Sequence, residues 1–464
     1  MARQSNGRRA NGTPDASPEE KLLNFPAAAP SDRRFTPDDD ELALYLAEHW
    51  QSRFAFFYGE WQEYESGAWK QRHEFELYQS VRAFLRGYRS VGVKVNNRQV
   101  TGLLSMMRPD VYMPDRFIND AQKEAERYIN LQNGLYDLEE DRLIEHRRDL
   151  MMLNQLDFDF DPKAICPNFT SFLHSSLVHP GTKDTDHDMV GLVLQALGYS
   201  LTARTDLKAS FWLYGVPDSG KSTLLSLIRS IMGSLATSVD LNQLGEKTFM
   251  LAEIIGKRVV TFPEVGSDTK LNEEIYKVIV GGSDEVWTDV KGKKGISFRP
   301  ISKFWWGMNN LPRVSDRSGA LFNRLKLIRF NRTFTAAERD GQLLQKIIAE
   351  RSGIFNLLIH HYAHLNARGW RTVKQSEDKL AEFRLESDTE LTFVNDSCDV
   401  HYNNKVKASE LYTAYKEWCE RSGFRPKNMN QVANDWRRLG FTDKRTNSGT
   451  QWIGVELRRV KVDA

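Results

Sequence analysis

The stretch FWLYGVPDSGKSTLLSLI, residues 211–228, decides how the centre of this chain folds. From Gly215 to Ser222 it has the pattern G-x-x-x-x-G-K-S, which is typical of a phosphate-binding loop. The residues before the loop are apolar and predict a buried strand, and apolar residues recur at helical spacing from Leu224 to Ile231. A strand, a loop and a helix in that order direct backbone N–H groups and a helix N-terminus toward phosphates.

This loop predicts a binding site for ATP with Mg²⁺. Lys221 would neutralise the β- and γ-phosphate oxygens, and Ser222 would offer its hydroxyl to Mg²⁺. The nucleotide-contacting set is predicted to be Gly215, Val216, Pro217, Asp218, Ser219, Gly220, Lys221, Ser222 and Thr223. The same loop serves kinases, pumps, packaging motors and helicases, so the loop alone does not select the function.

Length and charge set the wider limits. A chain of 464 residues exceeds one ordinary core, and 64 Lys and Arg against 62 Asp and Glu give a net charge of +2. Any nucleic-acid surface must therefore be local. The three widely spaced cysteines favour neither a zinc site nor a disulfide framework. No long apolar run or signal-peptide core is present in the sequence, which predicts no membrane partner and a cytoplasmic location, in a bacterial host or a virus-infected cell.

Composition and periodicity predict five segments. The expected fold class is α/β, with a P-loop ATPase core, an α+β domain before it and a smaller module after it. In chain order we expect a disordered tail at 1–35, the α+β domain at 36–185, the ATPase domain at 186–370, a linker at 371–394 and the DNA-binding module at 395–464. Within the α+β domain, residues 59–71 and 128–146 are predicted to form antiparallel hairpins.

Two apolar strands downstream of the loop end in polar residues. IIGKRVVTFPEV reaches Glu264, which could orient Mg²⁺ or the attacking water if its strand lies beside the phosphate loop. KFWWGMNN reaches Asn309, whose amide could hydrogen-bond the γ-phosphate or that water. The alternatives are a surface glutamate and a turn asparagine. Trp305 and Trp306 are expected in the core.

Residues 277–325 carry a family resemblance. The patterns K-x-x-x-G-G-x-D, a basic hairpin followed by F-x-P, N-x-L-P, and D-x-S…R-L occur there in that order. They fall on Lys277, Gly281, Gly282, Asp284, Phe298, Pro300, Asn309, Leu311, Pro312, Asp316, Ser318, Arg324 and Leu325. The chain resembles superfamily 3 helicases of the phage, plasmid and poxvirus primase–helicase branch. INLQNGLYDL and FDPKAICPNFTSFL extend the likeness backwards, so that it covers roughly residues 50–464. The resemblance implies that the P-loop core is AAA+-like and that the last module is winged-helix-like.

The resemblance implies a mechanism shared between subunits. Arg324 resembles the arginine finger that this family inserts into the neighbouring subunit's ATP site, with Arg313, Arg317 and Arg329 as rivals. A homo-oligomeric closed ring, a hexamer by resemblance, follows from a finger that acts in trans. The family further implies 3′→5′ translocation on single-stranded or forked DNA in replication of a phage, plasmid or other mobile element.

A basic hairpin is predicted in DVKGKKGISF. Glycines alternate there with Lys291, Lys293 and Lys294, so the tip concentrates positive charge that could grip a single strand's phosphates in the channel of a ring. The alternative is a solvated basic turn.

One feature departs from the family. Many superfamily 3 members carry two adjacent acids at the end of the Walker B strand, which here is the strand in IIGKRVVTFPEV, whereas this chain has Pro263 and Glu264. Either Glu264 serves both metal and water, or Asp268 or Glu273 contributes.

The last seventy residues predict helices followed by a hairpin, which resembles the family's C-terminal winged helix. Arg437, Arg438 and Lys444 would then contact duplex DNA. The alternative is a small packing module with solvated charges. Many relatives carry a primase domain before the helicase part; the short tail here predicts a separate or host primase.

Two other functions stay open from the sequence alone. One is an ATP-regulated origin-binding or initiator protein without processive unwinding. The other is a small-molecule P-loop kinase, which would need a substrate lid and no DNA.

Overall fold

A computed structural model of the chain describes residues 37–239, 248–266, 272–282, 285–289, 295–312, 314, 319–447 and 449–458. The predicted disordered tail, residues 1–35, lies outside these residues. The chain divides between Gln155 and Leu156 into an N-terminal unit and a C-terminal unit.

The N-terminal unit is an α+β arrangement with two small sheets. Its helices are α1 (Asp39–Trp50), α2 (Glu74–Gly87), α3 (Asn97–Met107) and α4 (Asp115–Glu124). Its strands are β1 (Phe54–Phe57), β2 (Glu60–Glu65), β3 (Ala68–Arg72), β4 (Tyr128–Leu131), β5 (Gly134–Asp137) and β6 (Arg142–Ile144). They form the antiparallel sheets β1-β2-β3 and β4-β5-β6, which confirms both predicted hairpins.

The C-terminal unit begins with two helices, of which the sequence had assigned the first to the preceding domain and the second to the ATPase domain. These are α5 (Pro167–Ser176) and α6 (His187–Leu201). The backbone N–H of Asn168, at the start of α5, donates to Glu350 (3.0 Å), and Asn331 donates to the carbonyl of Val178 (2.8 Å). The sequence placed the boundary at 185, and the structure places it at 155, because such contacts join this segment to residues far along the chain.

The elements of the ATPase region follow in chain order. The strands are β7 (Ser210–Gly215), β8 (Ala236–Ser238), β9 (Val259–Phe262), β10 (Val286–Thr288), β11 (Ile296–Phe298), β12 (Lys303–Gly307) and β13 (Leu325–Phe330). The helices are α7 (Lys221–Met232), α8 (Glu273–Gly281), α9 (Leu343–Ile348) and α10 (Arg351–Arg368).

Five of these strands form one parallel sheet in the order β13-β7-β12-β9-β8. Strands β9 and β12 are buried along their whole length, as strands covered on both faces must be, so their sequences are continuous apolar runs rather than alternating ones. Trp305 and Trp306 are fully buried in this sheet, as predicted. The α/β class and the parallel sheet, typical of a P-loop core, are confirmed.

The strand order differs from the expectation for Glu264. Its strand, β9, pairs with β12 and β8, and β12 separates it from β7. The chain order cannot reveal this, because β12 is the later strand and inserts between the two earlier ones. Since the order reverses at β7, ligands are expected at the carboxyl ends of β7 and its neighbours.

The predicted linker is helical. Residues 374–387 form α11 (Lys374–Ser387), and α12 (Thr389–Ser397) follows directly. Phe383 of α11 is buried against Trp212 and Phe322, whereas Phe393 of α12 is buried against Tyr415. The charged residues of SEDKLAEF suggested a connector, but they lie on the outer side of a helix whose apolar residues enter a core.

The C-terminal module contains a strand that the sequence analysis missed. It comprises β14 (Cys398–Lys407), α13 (Ala408–Arg421), α14 (Met429–Arg438), β15 (Thr442–Thr446) and β16 (Gly449–Leu457), with sheet order β14-β16-β15. The predicted helices and hairpin are present, and Leu411 and Tyr415 of α13 and Val432 and Trp436 of α14 are buried. Strand β14 is mostly exposed and bulged between Val400 and Lys405, so it lacks the alternation that marks a strand.

None of the helices in the described part of the chain combines the length and the apolar character needed to cross a bilayer.

Candidate nucleotide-binding site

The phosphate loop connects β7 to α7, as the sequence predicts. Gly215 ends the strand with φ +132°, and a Cβ there would lie 2.1 Å from the carbonyl oxygen of Phe330. Gly220 caps α7 with φ +97°. Both glycines of the motif therefore have positive φ angles that other residues rarely adopt. A side chain at Gly215 would also collide with the backbone of Phe330.

Residues after β13 hold the loop in place. The N–H of Val216 donates to the carbonyl of Phe330 (3.2 Å), and the N–H of Phe334 donates to the carbonyl of Asp218 (2.9 Å). Thr333 donates its hydroxyl to Pro217 (3.2 Å), and Arg339 pairs with the Asp218 carboxylate (2.9 Å). The sequence analysis missed this support, because no motif links residues more than a hundred positions apart.

Lys221 is a buried cation surrounded by neutral oxygens. Its Nζ donates to the carbonyls of Gly215 (3.0 Å) and Val216 (2.6 Å) and to the hydroxyl of Ser219 (3.1 Å). Burial lowers the pKa of Lys221, and the nearby Asp218 carboxylate opposes that shift. The three acceptors satisfy the hydrogen bonds of the ammonium group but leave its charge unneutralised, so the loop favours an anion such as a phosphate.

The start of α7 supplies further donors. Its first i to i−4 bond runs from the N–H of Leu224 to the carbonyl of Gly220 (2.9 Å), so the amides of Lys221, Ser222 and Thr223 precede it. Ser222 is exposed at this helix end. The backbone amides suit phosphate oxygens, and the hydroxyl suits Mg²⁺, which usually takes few protein ligands beside the phosphates.

Glu264 and Asn309 lie at the same edge of the sheet as the loop. The N–H of Val265 donates to Gly307 (2.9 Å), and the N–H of Met308 donates to Leu213 of β7 (2.9 Å). A Cβ on Gly307 would come within 2.8 Å of both the Pro263 carbonyl and Leu225 of α7. The two exposed side chains therefore project from neighbouring strand ends beside the helix that carries Lys221.

Arg324 lies at the opposite ends of these strands, beside the amino end of β7. It precedes β13, in which Leu325 pairs with Ser210 and Phe330 pairs with Gly215 at the phosphate loop. Leu325 and Phe330 are five residues apart, so at about 3.3 Å per residue the two ends of β13 are about 17 Å apart. Arg324 is half-buried, and its Nη1 donates to the carbonyl of Ala320 (2.6 Å), whereas its Nε has no acceptor among the described residues.

The remaining candidates are distributed as follows. Arg329, a rival finger, lies on β13 near the loop end of the strand, and Arg313 and Arg317 are outside the described residues. Lys291, Lys293, Lys294 and Asp268 are also outside the described residues, and so is the side chain of Glu273.

In the C-terminal module the predicted DNA contacts have different surroundings. Arg437 donates to Asp443 (2.9 Å), Arg438 pairs with Asp388 (2.8 Å), and Lys444 is exposed on β15. Their role in DNA binding stays a prediction.

Comparison with known proteins connects these parts. The family model "D5 N terminal like" matches residues 43–177, and "Poxvirus D5 protein-like" matches residues 385–451. A family of unknown function, DUF5906, matches residues 213–324, from the phosphate loop to Arg324.

The resemblance to superfamily 3 helicases of the D5 type is confirmed.

Viral proteins are among the proteins that this chain resembles. It is 23% identical over 354 residues to the "Putative helicase L207/L206" of Acanthamoeba polyphaga mimivirus, covering 70% of the chain and 36% of the relative. It is 24% identical over 250 residues to the "Putative helicase 121R" of Invertebrate iridescent virus 3, covering 46% of the chain and 26% of the relative. The chain thus spans about a third and a quarter of these relatives.

Solved structures of the NrS-1 C terminal region share the fold. The A form apo structure matches this chain with a TM-score of 0.52, 12% identity, and coverage of 91% of this chain and 100% of that one. A second A form apo structure matches with a TM-score of 0.50 and 13% identity, covering 90% and 100%. At this identity the match concerns the fold.

Proposed function

We propose that this chain is an ATP- and Mg²⁺-dependent, ring-forming DNA helicase that moves 3′→5′ on single-stranded DNA in replication of a virus or other mobile element. The observation that carries the proposal is the placement of Arg324 at the sheet edge opposite the phosphate loop, about 17 Å away along β13. An arginine so placed serves the nucleotide of a neighbouring copy rather than its own.

Each residue then has a defined task in ATP hydrolysis. The loop amides and Lys221 bind the phosphates, and Glu264 accepts a proton from the attacking water. Asn309 orients that water or contacts the γ-phosphate from the adjacent strand. Ser222 and Glu264 would hold Mg²⁺, which would neutralise charge on the phosphates when bound. Arg324 of the next subunit would stabilise the transferring phosphoryl group.

The DNA-contacting parts extend this proposal. The lysine-rich hairpin would track the single strand within an AAA+-like ring, and the C-terminal module would act as a winged helix on duplex DNA through Arg437, Arg438 and Lys444. Priming would come from a separate or host primase.

Mixing two inactive variants tests the shared site. Lys221→Ala and Arg324→Ala should each lower ATP hydrolysis by at least about a thousandfold. In a ring built from an equal mixture, about one interface in four joins an intact lysine to an intact arginine, because the contact is heterologous. We therefore expect the mixture to recover about a quarter of wild-type ATPase activity.

Controls make this result specific. Arg368→Ala, at an exposed arginine of α10, should hydrolyse ATP normally. Lys221→Ala mixed with a Lys221→Ala/Arg324→Ala double variant should stay inactive. A mixture no more active than its components, or full activity of Arg324→Ala alone, would refute the shared site.

Forked duplexes with a single 3′ or 5′ tail test the polarity and the activity class. Unwinding that requires the 3′ tail supports the proposal, and a requirement for the 5′ tail reverses the polarity. DNA-stimulated ATP hydrolysis without strand separation would instead favour the initiator function. Hydrolysis indifferent to DNA would favour a small-molecule kinase.

A further inference from the structure

Trp287, on the hairpin of β10 and β11, has no role in the function proposed above. Its strands pair antiparallel, with Val286 opposite Phe298 and Trp287 opposite Ser297. The residues of the lysine-rich tip fall between these strands in the sequence, outside the described residues.

The two faces of this hairpin differ. Val286 and Phe298 pack against the core of the ATPase sheet, and Thr288 is fully buried. Trp287 lies between Val286 and Thr288, so it faces away from that core, and it is 58% exposed. Of the 11 tryptophans in the chain, all within the described residues, Trp287 is the one that is exposed. Its exposure therefore needs a reason that core packing does not give.

A glycine fixes the position of this side chain. A Cβ on Gly295, across the hairpin, would lie 2.1 Å from an atom of the Trp287 ring. The indole therefore rests directly on the Gly295 backbone, and a residue with any side chain would displace it. Ser297, directly opposite, is small as well. The ring is held on one side by the hairpin and is open on the other.

The surroundings favour a flat, uncharged partner. Glu285, two residues before Trp287 on the same face, accepts a hydrogen bond from Ser297 (2.8 Å) and would repel a phosphate group. A nucleic-acid base has a flat, uncharged face, so a base of a single strand can occupy the open side of the indole.

We propose that Trp287 is a stacking platform for a base of single-stranded DNA, seated on Gly295. This inference rests on the proposed function and adds to it a contact with a DNA base rather than with the sugar-phosphate backbone. Stacking of this kind tolerates any base, because every base has a flat aromatic face.

The test compares two oligonucleotides that differ only in their bases. One is a labelled oligo-dT, and the other has the same backbone with abasic sites. Binding is measured by fluorescence anisotropy with the full chain, Mg²⁺ and a non-hydrolysable ATP analogue. We expect Trp287→Ala to weaken oligo-dT binding about 5- to 100-fold and to leave binding of the abasic strand unchanged.

Further variants separate stacking from other effects. Trp287→Phe should recover much of the lost affinity, and Gly295→Ala should reproduce part of the loss by displacing the ring. The salt dependence of binding should stay as in the wild type, since the phosphate contacts remain. Tyr402→Ala, at a side chain 77% exposed in the C-terminal module, is the matched control and should bind normally.

Each contrary outcome has its own meaning. If Trp287→Ala distinguishes the two strands as well as the wild type does, the platform is refuted while the helicase proposal stands. If it loses affinity for both strands equally and sediments as a smaller species, Trp287 is a contact between subunits and the platform is refuted. If the wild type binds neither strand, the proposed function fails together with this inference.

Discussion

Lys221 combines burial, three neutral acceptors and a lowered pKa. Lys221→Ala should abolish ATP hydrolysis, because the phosphates then lose the one buried charge that the loop offers them. The midpoint of thermal unfolding should change by only a few degrees, since the substitution also removes the cost of burying that charge. The measurements are ATPase rate and circular dichroism, with the exposed Lys163→Ala as control. Normal hydrolysis in the variant would exclude the loop as the catalytic site.

Glu264 projects from a strand end beside Asn309 and the start of α7. Glu264→Gln keeps the side chain's size and removes its basicity, so hydrolysis should fall about 10²- to 10⁴-fold. ATP binding, measured with a fluorescent analogue, should persist. A fall of less than tenfold would indicate that Asp268 or Glu273 supplies the base, and the same substitution at each of those residues would then identify it.

Sequence reasoning succeeded at single residues where chemistry is local. The glycines, Lys221 and the start of α7 follow from one continuous motif, and the structure has the strand, loop and helix that this motif predicts. Their contact with a nucleotide stays a prediction. The Asp218–Arg339 pair could not be predicted, because it depends on where the chain returns after β13. The exposure of Trp287 could not be predicted either, since the ten other tryptophans are not exposed and no motif distinguishes Trp287 from them.

The C-terminal module contains basic residues that pair with a buried carboxylate and basic residues that are exposed. Arg438 pairs with the buried Asp388 (2.8 Å), which caps the start of α12, whereas Lys444 is exposed. Arg438→Ala should lower the free energy of unfolding by about 1–3 kcal/mol, because it leaves a buried carboxylate with fewer partners. Lys444→Ala should weaken duplex DNA binding and reduce its salt dependence without that loss of stability. Chemical denaturation and DNA titration distinguish the two, and an exchange of these effects would contradict the assignment.

Helix α10 carries a histidine that should respond to acid. His361 borders a cavity of about 290 Å³ together with His174, His187 and Arg371. Burial, and then repulsion by His360, His364 and Arg371, lowers the pKa of His361 to about 4 from 6.5. Between those values the unfolded chain takes up the proton and the folded chain does not. Its contribution to stability is therefore present above pH 6.5 and is lost as pH falls to 4.

The corresponding variant isolates that slope. His361→Asn should flatten the fall of the free energy of unfolding between pH 6.5 and 4 by at most about 1.4 kcal/mol per pH unit. His401→Asn, at an exposed histidine, should keep the wild-type slope. Equal slopes in all three proteins would show that His361 titrates normally.

Elements were predicted well where the apolar period was strong. Strands β7, β9 and β12 are continuous apolar runs, and α13 and α14 show apolar faces. Strand β14 and helix α11 were missed for opposite reasons. The first is too exposed to alternate, and the second carries so many charges that its apolar residues, Leu380 and Phe383, gave no visible stripe.

At the scale of the whole molecule, the separation of Arg324 from the phosphate loop predicts nucleotide-dependent assembly. With ATP analogue and Mg²⁺, the chain should form particles of about six copies, because each bound nucleotide then bridges two subunits. Analytical ultracentrifugation and electron microscopy measure this. Arg324→Ala should assemble less, and Arg368→Ala should assemble normally. A monomer that hydrolyses ATP at full rate in every condition would rule out the ring.

Strand β12 connects the β10–β11 hairpin to the candidate nucleotide-binding site through residues that are buried or hydrogen-bonded. Between Phe298 and the start of β12, Arg299 donates to the carbonyl of Gly282 (2.8 Å) and Ser302 donates to that of Lys257 (2.6 Å). All five residues of β12 are buried, and Asn309 follows within two positions. Because these contacts fix both ends of the connection, a movement at the candidate nucleotide site should be transmitted to the hairpin without loss. Inserting two glycines between Phe298 and β12 should leave ATP hydrolysis and DNA binding unchanged. It should reduce the distance that the protein moves along DNA for each ATP hydrolysed.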